Sequence, residues 1–130
     1  MERLSERLAE AETALASFNE LVRRSDRSVV ERDAAIMRFT YTFEAVWKTA
    51  QRYLYEHEGL DTGSPKQAIR TSRRIGLVTD EQAEAALRMA DDRNLLVHVY
   101  RQAVARDLDS RLRAHAATLA AWLAAMRTSG

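Results

Sequence analysis

Apolar residues recur at alternating spacings of three and four along almost the whole of this chain, and this spacing is the period of an α-helix that buries one face. A half-buried strand would instead alternate apolar and polar residues, and no stretch of the sequence shows that pattern. Five runs with the helical period follow one another, separated by short polar segments. The sequence therefore predicts an all-α protein, an antiparallel helical bundle of four to five helices with short loops. The predicted inward positions are Leu4, Leu8, Ala11, Leu15, Phe18 and Val22 in the first helix, Ile36, Phe39, Phe43, Val46, Trp47, Ala50 and Leu54 in the second, Ala83, Leu87, Ala90, Asn94 and Val97 in the fourth, and Val104, Leu108, Leu112, His115, Leu119, Trp122 and Met126 in the fifth.

Capping signatures in the polar segments predict where the helices begin. A Ser or Thr that caps a helix is often followed three residues later by a Glu or Gln that bonds back to it. Gly59 and Gly76 stand where helices would end, because glycine readily adopts the left-handed conformation of a helix terminus. The first three helices are expected to end near Arg24, Glu56 and Ile75. The capping pairs are Ser28 with Glu31, Ser64 with Gln67, and Thr79 with Gln82, and Pro65 occupies the first helical position after Ser64.

The length and charge of the chain restrict what it can do. A chain of 130 residues is long enough for one compact domain with its own core, and we expect a single domain spanning residues 1–130. Its 20 basic and 19 acidic side chains leave a net charge of +1, so any RNA site has to be local. The absence of cysteine excludes disulfides and thiolate chemistry. Charged residues near the N-terminus and the lack of a long apolar run predict a soluble, cytoplasmic protein without a membrane segment.

The segment from Arg93 to Tyr100 holds the residues best suited to chemistry. It places a permanent cation, an imidazole and a phenol within eight residues. Arginine presents a planar set of donors that matches phosphate oxygens, and histidine gives or takes a proton near neutral pH. Arg93 is therefore a candidate phosphate ligand and His98 a candidate general acid or base for cleaving a phosphodiester, and neither role requires a metal or a cofactor. Asn94, one helical turn before His98, is a candidate to orient that histidine or to bind a phosphate oxygen of a nucleotide.

This segment and several others resemble HEPN-domain proteins of the nucleotidyltransferase substrate-binding family. The Arg-x4-His-x-Tyr spacing at residues 93–100 is similar to the signature of HEPN proteins that pair with minimal nucleotidyltransferases. The aromatic sequence MRFTYTFEAVWK at residues 37–48 resembles the family's second helix. The chain departs from the family pattern at residues 95–97, where small or polar residues are expected, and at Arg101, where an Asp often follows the Tyr. The other matching landmarks, in the same order, are Ser64-Pro65, Gly76-Leu77-Val78 and Arg93-Asn94.

The resemblance implies a metal-independent ribonuclease that is the toxin of a toxin–antitoxin module, with Arg93 and His98 as its catalytic residues. In such modules a separately encoded minimal nucleotidyltransferase transfers AMP to a tyrosine of the toxin, and Tyr100 is the candidate acceptor. Cleavage needs both an acid and a base, whereas the motif supplies one histidine per chain, so we predict a homodimer that brings two motifs together. Positions 93 and 98 also lie about 140° apart around an ideal helix, so their convergence on one phosphate needs a frayed helix end, long side chains or a second subunit.

Two other functions fit the same residues. The family name implies a non-catalytic subunit that presents a nucleotide or another substrate to the nucleotidyltransferase. A third possibility is a stand-alone helical interaction domain, in which Arg93 and His98 complement the dipole at a helix end. Neither alternative makes the protein toxic to a cell, and this separates both from the ribonuclease.

Three further groups of residues carry charged or ionisable side chains. Four cations around the third helix form a basic patch, which suits an RNA backbone or an acidic partner, although a solvated charged face is the simpler interpretation. His115 falls on the apolar side of the last helix, which predicts a hydrogen-bonded interior or interface histidine rather than a ligand. Asp91 and Asp92 stand beside Arg93 and are candidates to tune its electrostatic environment or to pair with it. The four cations are Lys66, Arg70, Arg73 and Arg74.

Overall fold

The structure is built of α-helices alone over the residues that it describes. It is a computed structural model that describes residues 3–98 and 102–129, apart from the side chains of residues 97, 98 and 129. No strand occurs within these two ranges, which confirms the predicted all-α bundle. The helices are α1 (Leu4–Val22), α2 (Val29–Glu58), α3 (Pro65–Arg74), α4 (Asp80–His98), α5 (Gln102–Asp109) and α6 (Leu112–Ser129).

The predicted capping residues lie at the starts of the helices. The Ser28 hydroxyl accepts the backbone N–H of Glu31 at 3.1 Å, and the Glu31 carboxylate accepts the N–H of Ser28 at 2.9 Å. Thr79 and Gln82 form the same reciprocal pair before α4, and Ser64 accepts a backbone N–H at the start of α3. The glycines that follow α2 and α3 have φ angles of 67° and 79°, so their predicted role at the helix ends is confirmed.

The predicted fifth helix, over residues 104–126, is interrupted and forms α5 and α6. At the interruption the Ser110 hydroxyl donates to the Asp107 carbonyl at 2.6 Å, and the Arg111 N–H donates to the Leu108 carbonyl at 2.8 Å. The Asp109 carbonyl accepts from the Arg27 side chain at 3.2 Å. The apolar spacing of four is preserved from residue 108 to residue 112, so periodicity alone gives no sign of the break.

The core surrounds α2, which packs against α1, α3, α5 and α6. Phe39 lies at its centre, with ring centroids 6.0 Å from Phe18 of α1, 6.2 Å from Phe43 and 5.2 Å from the imidazole of His115 in α6. The Trp122 indole of α6 donates to the Ser72 hydroxyl of α3 at 3.2 Å. The predicted inward positions of α2 are confirmed as buried, and its buried residues are Ala35, Ile36, Phe39, Thr42, Phe43, Val46, Trp47, Thr49, Ala50, Tyr53 and Leu54.

The inward stripe predicted for the fourth helix is wrong at its end. Ala83, Ala86, Met89 and Ala90 are buried, but Asn94 is exposed. Leu95 is exposed as well, so the last turns of α4 are covered on fewer sides than its middle. The helical period continues beyond the edge of the core, so a position that the period places inward, such as Asn94, is exposed to solvent there.

The outward face of α2 carries exposed apolar side chains between charged ones. Val30, Met37 and Tyr41 are each at least two-thirds exposed. Glu44 and Lys48 continue the same face. Across the described residues, no helix combines the length and the apolar character that crossing a membrane requires.

Candidate functional site

The Arg93 side chain projects from α4 onto α2. Its Nη2 atom lies 2.9 Å from Glu44 Oε1, and its guanidinium carbon lies 5.3 Å from the centroid of the Phe43 ring. Nη1 donates to Asn94 Oδ1 at 3.0 Å. The ion pair and the cation–π contact fix the guanidinium at the surface, with the side chain 23% exposed.

Glu44 joins this cation to a second one. Lys48 Nζ lies 3.7 Å from Glu44 Oε2, one helical turn along α2. A single carboxylate therefore stands between Arg93 and Lys48, and the three side chains carry a net charge of +1. This local excess suits a phosphate, whose oxygens can bind the donors that face away from Glu44.

Sequence reasoning missed Glu44, Lys48 and Phe43 as residues of the site. They belong to the aromatic segment of residues 37–48, which enters the sequence analysis only through its resemblance to the family and through its inward positions, Phe43 among them. The i, i+4 spacing of the acid and the base was visible in the sequence. Their contact with Arg93 was not, because it joins positions 49 residues apart.

The remaining predicted site residues are placed only in part. Asn94 contacts Arg93, and its predicted action on His98 stays a prediction. The backbone of α4 is helical as far as residue 98, so positions 93 and 98 are about 140° apart around the same helix. The His98 side chain and the whole of Tyr100 lie outside the described residues.

A second cluster joins α4 to α6 through Asp92. Its Oδ2 atom lies 2.6 Å from His115 Nε2, and its two oxygens each lie 2.9 Å from a nitrogen of Arg111. The imidazole is stacked on Phe39, and the residue is 5% exposed. His115 is thus a hydrogen-bonded interior histidine, as predicted.

The expected pairing of Asp91 and Asp92 with Arg93 is wrong. Asp91 lies 2.5 Å from Lys66 Nζ of α3, whereas Asp92 binds residues of α6 and the turn before it. The physical reason is the helical rotation of about 100° per residue, which points three successive side chains toward three different neighbours.

The ionisation of this cluster follows from its burial and its hydrogen bonds. Burial lowers the pKa of His115, and the adjacent Asp92 carboxylate offsets only part of that effect. Burial alone would raise the pKa of Asp92, but hydrogen bonds from Arg111 and His115 outweigh it and hold the pKa below its ordinary value. At neutral pH the cluster is therefore a neutral imidazole that donates to a carboxylate anion.

The predicted basic patch lies on α3. Arg70, Arg73 and Arg74 are exposed and line an open groove of about 620 Å³, whereas Lys66 is drawn toward Asp91 of α4. His57, by contrast, is exposed at the end of α2 and stacks on Tyr53 at 4.3 Å.

Comparison with protein families gives one match over almost the whole chain. Residues 6–128 match the model described as "Nucleotidyltransferase substrate binding protein like". No curated protein matches the chain.

Several solved structures share the fold, including these three. A protein of Thermus thermophilus is 51% identical, with 90% of this chain and 98% of that one covered and a TM-score of 0.86. A mutant toxin–antitoxin pair, MntA-HpeT, contains a chain that is 13% identical, with 96% and 97% covered and a TM-score of 0.78. The tri-AMPylated HEPN toxin of Shewanella oneidensis, in complex with its MNT antitoxin, is 14% identical, with 98% and 99% covered and a TM-score of 0.78. The two distant likenesses concern the fold alone.

Proposed function

Because the chain belongs to the nucleotidyltransferase substrate-binding protein family, we propose that it is the HEPN toxin of a toxin–antitoxin module, a cytoplasmic ribonuclease that acts without a metal. Arg93 and His98 are its catalytic residues, and a separately encoded minimal nucleotidyltransferase is its antitoxin. The observation that carries the proposal is the fixed Arg93 guanidinium, held by Glu44 and Phe43 five positions before His98 on the same helix.

The proposed reaction needs one acid, one base and one cation. His98 of one protomer takes the proton of a ribose 2′-hydroxyl, whose oxygen then attacks the adjacent phosphorus. Arg93 binds the non-bridging oxygens as negative charge builds up on the phosphorane. The His98 imidazolium of the second protomer gives a proton to the departing 5′-oxygen. The products are a 2′,3′-cyclic phosphate and a 5′-hydroxyl.

Glu44 has a positioning role in this scheme. It binds one edge of the Arg93 guanidinium and leaves Nη1 with a neutral partner, the Asn94 amide. A phosphate that approaches the guanidinium from the side of Nη1 can accept further hydrogen bonds without displacing the Glu44 carboxylate. Lys48 compensates the charge of Glu44, so the carboxylate does not repel the substrate.

In this proposal the antitoxin inactivates the toxin by transferring AMP to Tyr100. Its hydroxyl attacks the α-phosphorus of ATP bound by the nucleotidyltransferase, pyrophosphate leaves, and AMP remains on the tyrosine oxygen. This places a bulky anion two residues after His98. The structural neighbour from Shewanella oneidensis is itself described as tri-AMPylated, which supports the choice of this chemistry.

The test is induced expression of the wild type, His98→Ala and Arg93→Ala in a bacterial host, with growth and total RNA followed in parallel. His57→Ala is the matched control, because it removes an exposed imidazole far along the chain from the motif. We expect toxicity and RNA fragmentation with the wild type and the control, and their loss in the other two variants. Harmless growth with every variant would sink the ribonuclease proposal.

The homodimer is tested separately by sedimentation of the purified protein. A mass of twice 14.8 kDa is expected at micromolar concentration. A dimer that contains one His98→Ala protomer keeps a single His98 imidazole, so an excess of the His98→Ala protein mixed with the wild type should suppress cleavage as heterodimers form. A monomer that cleaves RNA would exclude the two-histidine mechanism.

A second candidate is a non-catalytic subunit that presents a nucleotide to the nucleotidyltransferase. The Arg93–Glu44 ion pair also fits this function, since an arginine that is already paired suits ground-state binding as well as it suits catalysis. Under this function His98→Ala weakens nucleotide binding by the complex of both proteins, and no variant is toxic.

A further inference from the structure

The positive charge of this chain is concentrated in α3. The ten residues Pro65–Arg74 include four cations and no acid. The rest of the chain then holds 16 basic and 19 acidic side chains, and is therefore slightly acidic. A protein with almost no net charge thus presents one strongly cationic helix.

The four cations share one face of that helix. At a rotation of about 100° per residue, Lys66, Arg70, Arg73 and Arg74 fall within about 100° of one another around the helix axis, which places them on a common side. The buried residues of α3, among them Ala68 and Ser72, form the opposite side. The basic face is therefore the solvent face, and the span from Lys66 to Arg74 is about 12 Å along the helix axis.

The three arginines of this face differ from Arg52 and Arg93, which pair with carboxylates on α2. Arg70, Arg73 and Arg74 make no ion pair and no side-chain hydrogen bond to any residue in the part of the chain that the structure describes. Two acids, Asp61 and Asp80, line the same groove without pairing with them. Each guanidinium has five N–H donors, so the groove presents a dense set of donors to solvent.

We propose that the α3 groove binds the phosphate backbone of single-stranded RNA and leads the strand to the Arg93 site, an inference that rests on the proposed ribonuclease function. The ion pair of Lys66 with Asp91 attaches the start of the basic face to α4, two residues before Arg93. The phosphates of the strand contact α3, and the phosphodiester that is to be cleaved then lies at the end of α4.

The lining of the groove argues for a phosphate backbone over an acidic protein. Interfaces between proteins are centred on buried aromatic or large apolar anchors. Leu60 is the one large apolar residue among the described residues that line this groove, and no aromatic side chain does so. No aromatic side chain among the described lining residues offers a surface on which bases could stack, so we expect phosphate contacts to dominate and binding to depend little on sequence.

The test measures RNA binding by fluorescence anisotropy as a function of salt, in the His98→Ala background so that the RNA stays intact. The probe is a fluorescein-labelled single-stranded RNA of mixed sequence. The variant carries Arg70→Gln, Arg73→Gln and Arg74→Gln. The matched control carries Arg3→Gln, Arg23→Gln and Arg106→Gln, which removes the same charge from three exposed arginines outside the groove.

The α3 triple variant is expected to reduce the slope of log K against log salt by about 2, because each lost phosphate contact to a single strand contributes about 0.7. The control triple is expected to retain most of the slope, and circular dichroism checks that both proteins are folded. Equal effects of the two triples, or no salt-dependent binding by the parent, would overturn the inference. Equally tight binding of polyglutamate would also overturn it, in favour of an acidic partner.

The binding result and the proposed function can fail independently. If salt-dependent binding is lost only in the α3 triple variant and the protein never cleaves RNA, the inference about the groove stands and the ribonuclease proposal is rejected. The α3 triple variant is also made with His98 intact. If it stays toxic and cleaves RNA with the KM of the wild type, the ribonuclease proposal stands and the inference about the groove is rejected.

Discussion

At the scale of single residues, His115 makes stability depend on pH just below neutrality. Burial lowers its pKa in the folded protein, so between that value and the ordinary value near 6.5 the unfolded chain binds a proton that the folded chain does not. The folded state is therefore favoured as pH rises through this window, and its advantage is complete above the unfolded pKa. As pH falls through the window, stability is lost.

The corresponding prediction concerns His115→Gln. Urea unfolding of the wild type from pH 7.5 down to pH 5 should show a falling free energy of unfolding, and the variant should show a flatter profile because glutamine does not titrate. His57→Gln, which removes an exposed imidazole, should keep the slope of the wild type. Parallel profiles for the wild type and His115→Gln would contradict the assignment.

Asp92 supplies a second prediction at the same scale. Asp92→Asn loses the charge that holds Arg111 and His115, and should lower the free energy of unfolding at pH 7 by about 2 kcal/mol, the range for hydrogen bonds to charged groups. Asp91→Asn provides the control, because Asp91 is exposed and pairs only with Lys66 among the contacts described. It should cost less than about 1 kcal/mol, as exposed ion pairs do. Similar losses in the two variants would mean that Asp92 acts as an ordinary surface acid.

At the scale of helices, α4 matters most because it carries both the Asp92 cluster and Arg93. Its start is fixed by the reciprocal bonds of Thr79 and Gln82. Thr79→Ala should lower the free energy of unfolding by about 1 kcal/mol, the usual loss for a helix cap. Thr13→Ala is the matched control, since the Thr13 hydroxyl only bonds back to the carbonyl of Ala9 within α1. Chemical denaturation of both variants checks the difference.

Local signals predict the helices well, and their interruptions less well. The caps at Ser28 and Thr79 were found from the sequence because each partner lies three residues away. The break at Ser110 was not found from the apolar period, which continues across it, and the Arg27 side chain that binds Asp109 at the break comes from 82 positions earlier. The exposure of Asn94 was missed for a related reason, since the edge of the core is set by neighbouring helices.

The residues of the candidate site likewise divide into those that the local sequence identifies and those that depend on distant parts of the chain. Arg93 and His98 were chosen because their chemistry is visible in one segment. The Glu44 and Phe43 partners of Arg93 follow only from the tertiary fold, which brings the Arg93 side chain to the surface of α2 and which no local pattern specifies. The partner of His115 was likewise unknown until α6 had been placed beside α4.

At the scale of the whole molecule, Phe39 connects α1, α2 and α6 through its contacts with Phe18 and His115. Phe39→Ala should lower the free energy of unfolding by about 3–5 kcal/mol, because it removes a large buried ring and leaves a cavity. That loss is a large part of the roughly 5–15 kcal/mol that stabilises a typical domain.

Tyr41→Ala is the control for this prediction. Tyr41 lies two positions further along α2 but is 69% exposed, so its removal should change the free energy of unfolding by about 0.5 kcal/mol or less. Thermal and urea unfolding measure both variants. A small loss for Phe39→Ala would show that the three helices are not held together through this ring.

The hydrogen bond between Trp122 and Ser72 has a practical consequence for spectroscopy. The chain has two tryptophans, both buried, and only the Trp122 indole has a hydrogen-bond partner among the residues described. The intrinsic fluorescence of Trp122 therefore originates at the inner side of α3, directly behind its arginines. Replacing Trp47 with Phe would leave a single native fluorophore there, an optical probe of α3 that needs no attached dye.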